Sequence, residues 1–193
     1  AIGHCRYSTT GSSNVKNVQP FLVIHKGCPM AVAHNGNLTN TEELYAELEE
    51  GGALFQTSMD SEIIIHLLAR SKDKDLKKLL LSALTQLEGA FSLVLMIGDA
   101  LVGVRDPQGF RPLCLGKLNG GYVLASETCA LDIIKAEFVR EVVPGEGVII
   151  HKDKLESFFL PKAKPARWAQ CIFENVYFAR PDSLIFNDNV YQV

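Results

Sequence analysis

The spacing of apolar residues predicts three helices in the first half of the chain. Leu44 and Leu48 lie one helical turn apart in a segment that begins near Asn40 and ends at Gly51-Gly52. Asparagine is a favoured N-cap residue, and glycine commonly follows the last turn of a helix. The same apolar spacing predicts two more helices, one from near Ser58 and one over residues 75–87.

Short apolar runs between turn residues predict strands in the rest of the chain. Before the helices, the predicted strands cover the opening stretch to Tyr7, residues 21–25 and residues 30–33. After Gly89 they cover residues 91–97, 101–105, 113–116, 122–125, 138–143 and 147–151, with a short helix at 130–136. Consecutive strands flanked by helices indicate an α+β fold. Residues 162–165, rich in Lys and Pro, are a predicted linker.

Composition is that of an ordinary globular protein. The 193 residues suit one domain with the edge of a second, and 47% of them are hydrophobic. A net charge of −3 gives no electrostatic reason to expect a nucleic-acid partner. The longest apolar run, residues 91–97, is far too short to span a membrane. Five cysteines, an odd number without close pairs, favour reduced thiols in a cytoplasmic protein.

An Asn-Gly pair at positions 35 and 36 directly follows a predicted strand. The side-chain amide of Asn35 and the backbone N–H of Gly36 are two donors that can point at one spot, as an oxyanion hole requires. Gly36 also lets a substrate carbonyl come close, because it has no side chain. The same dipeptide is a common hairpin turn, so the pair by itself leaves both interpretations open.

Three segments together resemble the N-terminal-nucleophile glutamine amidotransferases. They read GHCRYSTTG from residue 3, AHNGN from residue 33 and SMDSE from residue 58. The resemblance implies a four-layer α/β/β/α sandwich of the N-terminal-nucleophile hydrolase type. It also implies that a cysteine at the mature N-terminus attacks glutamine, with its own α-amino group as the base.

The nucleophile of that family is not matched in this sequence. The chain begins with Ala1-Ile2, and its first cysteine, Cys5, lies inside the first predicted strand. Cys5 also lacks the free α-amino group that would activate it. We therefore expect the nucleophile to lie upstream and the chain as given to show no glutaminase activity.

Glutamine presents an α-carboxylate, an α-ammonium and a side-chain amide, and the resemblance implies a partner for each. Arg6 holds the carboxylate with two parallel hydrogen bonds, helped by the hydroxyls of Ser8 and Thr9. Asp60 binds the ammonium, and the Asn-Gly pair stabilises the oxyanion. Taken alone, Arg6 is an ordinary surface ion-pair residue, and Asp60 is a carboxylate favoured in the first turn of a helix.

Other polar residues near these segments are expected to be structural. They are His4, His34, Glu62 and His66. The segment RDPQGFRPL at residues 105–113 also resembles the family, and its arginines are expected to pair with nearby acids. This segment and residues 126–128 are expected to be scaffold around the glutamine pocket. Residues 126–128 are expected to cap the following helix.

The segment CIFENVYFARPDS, from Cys171 to Ser183, narrows the resemblance to the glutamine phosphoribosylpyrophosphate amidotransferases. It is similar to the beginning of their phosphoribosyltransferase domain, with Asn175 where an aromatic residue is usual. Residues 1–161 are interpreted as a glutamine amidotransferase domain lacking its N-terminal part, and residues 162–193 as a linker and the start of the second domain. The implied reaction of the full-length protein combines glutamine with phosphoribosyl pyrophosphate to give 5-phosphoribosylamine, the first committed step of purine synthesis.

The resemblance also implies cofactors and partners. Mg²⁺ would neutralise the diphosphate of phosphoribosyl pyrophosphate, and some family members carry a [4Fe–4S] cluster for which Cys171 matches one ligand. Other ligands would lie beyond Val193, so the chain alone is expected to bind neither group. The full-length protein is expected to be a homo-oligomer. Two alternatives stay open: another N-terminal-nucleophile glutamine amidotransferase, which the segment after Cys171 disfavours, and a non-catalytic glutamine-binding module.

Overall fold

The computed structural model describes residues 1–5, 15–161, 169–186 and 188–190. Arg6, Ser8 and Thr9, which are predicted to bind the substrate carboxylate, lie outside these ranges, and so does the predicted linker at 162–165. Within the described ranges, no helix is long and apolar enough to cross a membrane.

The described residues contain helices in both halves of the chain, with most strands in the second. The α-helices are α1 (Thr41–Glu50), α2 (Asp60–Arg70), α3 (Leu76–Leu84) and α4 (Thr128–Ile133). The strands are β1 (Phe21–His25), β2 (Cys28–Leu38), β3 (Gly89–Ile97), β4 (Ala100–Arg105), β5 (Cys114–Leu118), β6 (Gly121–Ala125), β7 (Glu137–Glu141), β8 (Glu146–His151), β9 (Lys154–Phe159), β10 (Leu184–Ile185) and β11 (Asp188–Asn189). A 3₁₀ turn covers Val15–Asn17, and a π-helical turn covers Glu174–Phe178.

Two antiparallel sheets organise the described part of the chain. The larger sheet has the strand order β1-β2-β3-β4-β8-β9, and the smaller has the order β6-β5-β7. Strands β2 and β3 pair from Met30, opposite Ile97, to Leu38, opposite Gly89. Because β1 pairs with the other edge of β2, the strand that contains the Asn-Gly pair has a neighbour on each side.

Three apolar clusters separate four layers. Helices α1–α3 pack on one face of the large sheet, where Ile63 and Leu93 belong to one cluster. The other face meets the small sheet through Val148 and Val142, and α4 covers the far face of the small sheet with Leu131. Burial of such aliphatic side chains stabilises the fold by about 1.5–3 kcal/mol each. The layers form the α/β/β/α sandwich that the resemblance implied.

The predicted helices are confirmed, with shifted ends. Helix α2 begins at Asp60 rather than near Ser58. Helix α3 ends at Leu84 rather than Leu87, although Leu87 is still buried in the core. The carboxylate of Asp75 accepts the backbone N–H of Lys78 and so caps α3, as short polar side chains do at this position.

Several strand predictions are corrected. Residues 1–5 form no strand, so the prediction that Cys5 lies inside one is wrong. Among the described strands none pairs with them, and a strand needs a partner for its backbone groups. Strand β2 begins at Cys28 and runs to Leu38, well beyond the predicted residues 30–33. Strand β9 is not predicted, because most of its side chains are exposed and show no strict alternation.

Candidate active site

The Asn-Gly pair lies inside strand β2 and not in a hairpin turn. Asn35 is opposite Ser92 on β3, and Gly36 is opposite Phe91. The turn that precedes β2 is formed instead by Lys26 and Gly27. The alternative interpretation of the pair as a turn is therefore wrong.

Gly36 adopts a backbone conformation that residues with a side chain rarely adopt. Its φ is +145°, and a Cβ atom built on it would overlap the backbone carbonyl of Ala90. Only glycine lets β2 approach β3 this closely at the end of the paired region. The glycine is thus required by the backbone at this position, independently of any role as a donor.

Asp60 occupies the first position of α2, and its side chain reaches across to β2. Its Oδ2 accepts the backbone N–H of Leu38 at 3.2 Å, and its Oδ1 lies 3.2 Å from Nδ1 of His34. The N-cap residue of α2 is Met59, so Asp60 does not cap the helix. Burial opposes ionisation of Asp60, but the hydrogen bonds from His34, Leu38 and Ser61 outweigh it and hold its pKa below the usual range.

A cavity of about 570 Å³ brings these residues together. Its volume falls in the range of roughly 300–1,000 Å³ that is usual for small-molecule sites. One group of lining residues, here called the strand wall, includes Cys5, Gln19, His34, Asn35, Gly36 and Asp60. A second group, here called the loop wall, includes Arg111, Ser126, Glu127, Cys129, Glu174 and Phe178.

The structure therefore brings together the described residues that are predicted to bind glutamine: Asn35, Gly36 and Asp60 all line one cavity. Arg6, Ser8 and Thr9 lie outside the described residues, but Cys5, directly before Arg6, is exposed and lines the same cavity. The assigned roles of these residues stay predictions.

Within the loop wall, Arg111 and Glu127 contact residues 174–183, which follow the predicted linker. Arg111 donates to the carboxylate of Glu174 at 2.6 Å, and its guanidinium lies 5.0 Å from the centre of the Phe178 ring. The carboxylate of Glu127 accepts the backbone N–H of Arg180 at 2.8 Å and the hydroxyl of Ser183 at 2.9 Å. Segment 174–183 is thus held by Arg111 and Glu127, two residues that line the cavity.

Residues 126–128 open α4 as predicted, but the expected side-chain cap is not formed at Glu127. Glu127 occupies the N-cap position of α4, but its side chain makes no capping hydrogen bond. Its carboxylate is used instead by Arg180 and Ser183, more than 50 residues further along the chain. Local sequence contains no signal for a partner at that distance. The expected position of segments 105–113 and 126–128 around the pocket is confirmed, since Arg111, Ser126 and Glu127 line the cavity.

Two buried residues organise the loop that carries Arg111. Arg105 is 1% exposed and donates to Glu141 and to the backbone carbonyls of Gly109, Arg111 and Val142. The ion pairs Arg105–Glu141, at 3.0 Å, and Arg111–Glu174 confirm the prediction that the arginines of this segment pair with acids. The segment is scaffold, and part of it also faces the cavity.

Asp106 is the second organising residue of this loop. It is fully buried, and its carboxylate accepts the backbone N–H groups of Gln108, Gly109, Phe110 and Phe91. Burial raises the pKa of Asp106, and these N–H groups offset part of that effect.

The structural roles expected for other polar residues are confirmed where contacts are described. Glu62 is 1% exposed and accepts the backbone N–H groups of Gln56 and Thr57, so it holds the segment before α2. The ring of His66 packs against Phe55. His34 is a buried, hydrogen-bonded histidine.

A metal site is not built by the described residues. In residues 1–5, 15–161, 169–186 and 188–190, no group of three His, Cys, Asp or Glu side chains is placed to hold a metal ion. Cys171 is half-buried, and its backbone N–H donates to the carbonyl of Phe110 at 3.4 Å. A [4Fe–4S] cluster needs several further ligands, so the role of Cys171 as one of them stays a prediction.

Comparison with known proteins gives one consistent family. The model of the glutamine amidotransferase domain matches residues 4–132. "Amidophosphoribosyltransferase 1, chloroplastic" of Arabidopsis thaliana is 50% identical over 100% of this chain and 34% of its own length. Amidophosphoribosyltransferase of Archaeoglobus fulgidus is 47% identical over 99% of this chain and 42% of its own.

A solved structure agrees with these relatives. Glutamine phosphoribosylpyrophosphate amidotransferase from B. subtilis, complexed with ADP and GMP, superposes with a TM-score of 0.88 at 39% identity, covering 97% of this chain and 40% of that one. The chain belongs to the glutamine amidotransferase domain family, and its fold is that of the N-terminal-nucleophile hydrolases. Over its full length it is similar to amidophosphoribosyltransferases, of which it spans about 34–42%.

Proposed function

We propose that this chain is the glutamine-binding part of a longer amidophosphoribosyltransferase. The longer protein transfers the amide nitrogen of glutamine to phosphoribosyl pyrophosphate and produces 5-phosphoribosylamine, glutamate and pyrophosphate. The observation that carries the proposal is the meeting of Asn35, Gly36 and Asp60 on one cavity. The full-chain similarity to amidophosphoribosyltransferases supports phosphoribosyl pyrophosphate as the acceptor, over the acceptors of other glutamine amidotransferases.

The strand wall supplies Asp60 as the partner of the α-ammonium, in addition to the proposed oxyanion donors Asn35 and Gly36. Asp60 is ionised at neutral pH, since its pKa is held low, and its carboxylate binds the α-ammonium. The α-carboxylate goes to Arg6, with Ser8 and Thr9, in the segment that directly follows Cys5 at the cavity. Residues 1–161 serve as the glutaminase domain, and residues 162–193 as the linker and the start of the acceptor domain.

The chemical step places charge next to Asn35 and Gly36. In the proposal, the thiolate of an N-terminal cysteine of the longer protein attacks the amide carbon of glutamine. The tetrahedral oxyanion accepts hydrogen bonds from the Asn35 amide and the Gly36 N–H. The amide C–N bond then breaks, and ammonia leaves with a proton from the terminal amino group. Water releases glutamate from the thioester, and ammonia displaces pyrophosphate at the anomeric carbon.

The remaining parts of the proposal rest on the resemblance alone. They are Mg²⁺ bound with the pyrophosphate group, a [4Fe–4S] cluster that uses Cys171, and a homo-oligomeric full-length protein. The cytoplasmic location also stays a prediction, because several plant relatives are described as chloroplastic.

The test is Asn35→Ala in the full-length protein. Loss of one oxyanion donor is expected to lower glutamine-dependent turnover about a hundredfold to a thousandfold, with little change in KM for glutamine. Synthesis of phosphoribosylamine from added ammonia should stay near normal, because it bypasses the oxyanion. Rates of glutamate release and of ammonia-dependent synthesis measure the two activities separately.

Asn37→Ala is the matched control, because this asparagine lies two residues further along β2 and is exposed. It should leave both activities close to those of the unaltered protein. Asn35→Asp tests charge alone, since it places a carboxylate where negative charge must develop. Near-normal glutamine turnover in both Asn35 variants would overturn the proposed oxyanion hole.

A further inference from the structure

The ring of His34 lies between two oxygen atoms. Its Nδ1 is 3.2 Å from Oδ1 of Asp60, and its Nε2 is 3.5 Å from the carbonyl oxygen of Ala90. The carboxylate is the nearer oxygen, and an ionised acceptor forms the stronger bond. Because an ionised carboxylate can only accept a hydrogen bond, Nδ1 carries a proton and donates a hydrogen bond to Oδ1 of Asp60.

The backbone around His34 is also fixed. Its N–H donates to the side-chain oxygen of Gln19 at 2.7 Å, and its side chain is 1% exposed. A buried ring between fixed neighbours has little freedom to turn away from Asp60. The imidazole can therefore hold a partner in one orientation.

Two donors on β2 hold the carboxylate oxygens of Asp60. Leu38 N–H binds Oδ2, and His34 binds Oδ1, on which the Ser61 hydroxyl is a further donor, at 3.5 Å. With each oxygen held from β2, the carboxylate plane is set and the remaining lone pairs are available to the cavity that Asp60 lines. Loss of the His34 contact would leave Oδ1 with the longer contact alone.

We propose that His34 is a positioning residue for substrate recognition: it orients the Asp60 carboxylate toward the α-ammonium of free glutamine. His34 acts through Asp60 and takes no part in proton transfer to the reacting amide. The inference rests on the proposed function, because it assumes that Asp60 binds the ammonium group.

The experiment compares His34→Gln with His34→Asn in the full-length protein. The side-chain N–H₂ of asparagine is placed like Nδ1 of histidine and can still donate to Asp60. That of glutamine is placed like Nε2, toward Ala90. His34→Gln should raise KM for glutamine about tenfold to a hundredfold, the range for losing a hydrogen bond to a charged group. His34→Asn should restore most of the affinity.

Glutaramate separates recognition of the ammonium from a general structural effect. This compound is glutamine without the α-amino group, so it cannot use Asp60. His34→Gln should lower kcat/KM for glutamine while leaving kcat/KM for glutaramate and ammonia-dependent synthesis almost unchanged. An equal loss with glutamine and glutaramate, or equal impairment of the two variants, would overturn the inference.

A pH profile gives a second readout. As the pH falls, Asp60 becomes protonated and KM for glutamine should rise. In His34→Gln this rise should begin at a higher pH than in the unaltered protein, because Asp60 has lost a donor that lowers its pKa. Other titratable groups near Asp60 are Tyr45 on α1 and Glu62 on α2, and Arg111, Glu127 and Glu174 lie on the loop wall. None of these is altered, so a shift of the profile reports the His34–Asp60 contact. An unchanged profile would contradict the inference.

Failure of the proposed function gives a different result. If the unaltered full-length protein releases no glutamate from glutamine, the glutaminase assignment is wrong. If it does so and His34→Gln leaves KM for glutamine unchanged, only the role of His34 is wrong.

Discussion

Two buried aspartates, Asp60 and Asp106, show how the same side chain can serve a cavity or a loop. Asp60 is 7% exposed and begins α2, and Asp106 is 0% exposed and directly follows β4. Asp60 accepts the backbone N–H of Leu38, pairs with His34 and has Ser61 as a further donor. The carboxylate of Asp106 accepts hydrogen bonds from four backbone N–H groups and from none of the described side chains.

The pKa values of the two carboxyl groups shift in opposite directions. Burial raises the pKa of Asp106 even though four N–H groups oppose the change. Burial has the same tendency at Asp60, but His34 and Leu38 outweigh it and lower the pKa. Asp106 uses its acceptor sites to close a loop, whereas Asp60 keeps an ionised carboxylate at the edge of a cavity. The number of backbone partners and the access to the cavity distinguish Asp106, which holds a loop, from Asp60, which is proposed to bind glutamine.

The largest effect is expected from Asp106→Ala. Removal of the carboxylate leaves up to three backbone N–H groups without their acceptor, because Gly109 also donates to the backbone carbonyl of Asp106. Each buried group left unpaired costs about 1–3 kcal/mol. The free energy of unfolding should therefore fall by about 3 kcal/mol or more, measured by urea denaturation. Asp106→Asn, which keeps one oxygen, should lose less. An unchanged urea midpoint in Asp106→Ala would show that the loop does not depend on this residue.

Asp60→Asn should impair binding and leave the fold nearly intact. An amide cannot pair with the α-ammonium, so KM for glutamine should rise about tenfold to a hundredfold while ammonia-dependent synthesis is kept. The pKa of Asp60 lies below its ordinary value of 3.8, so affinity in the unaltered protein should stay constant as the pH falls from neutrality until it approaches that value. Steady-state kinetics at several pH values measure both. Equal loss of both activities would place Asp60 with Asp106 as a structural residue.

Glu174→Gln should have the smallest effect. Glu174 is buried and paired with Arg111, and burial raises its pKa although Arg111 lowers it in part. The lost attraction to Arg111 is offset by relief from burying a charge, so the free energy of unfolding at neutral pH should change by about 1 kcal/mol or less. Urea denaturation tests this against the exposed pair Arg70–Glu47, where Glu47→Gln should have no measurable effect.

The pH dependence of Glu174 has a defined sign. Because its folded pKa is raised, its contribution to stability is fully present below the ordinary value of 4.5 and is lost as the pH rises through the raised value. This dependence should disappear in Glu174→Gln. A loss of stability in that variant as large as in Asp106→Ala would mean that Glu174 holds the loop wall in place.

The sequence predicts most elements of the fold because their apolar spacing is local information. Leu44 and Leu48 on α1, for example, are buried as expected. Strand β9 was missed because it is an exposed edge strand of the large sheet, whose pairing with β8 depends on distant packing. The length of β2 was underestimated, because Asn35 and Gly36 are typical of turns and only the pairing with β3 keeps them extended.

The candidate site could be predicted more completely on the strand wall than on the loop wall. Asn35, Gly36 and Asp60 belong to short motifs, and the structure places all three on the strand wall. On the loop wall, the position of Arg111 and Glu127 around the pocket is predicted by the resemblance. Their contacts with the segment after residue 169 could not be predicted, because they depend on the packing of that segment against the small sheet. That packing joins residues far apart in the chain, and no local pattern encodes it.

The pairing of β2 with β3 bears on how the site responds during a reaction. Phe91, Leu93 and Leu95 on β3 are completely buried, so this strand cannot separate from β2 without opening the main core. Openings of that kind have free energies near that of global unfolding. Donors on such a strand keep their direction while charge develops, and little reorganisation energy is added to the barrier. In the proposed reaction, the rigidity of this part of the backbone is therefore expected to contribute to catalysis.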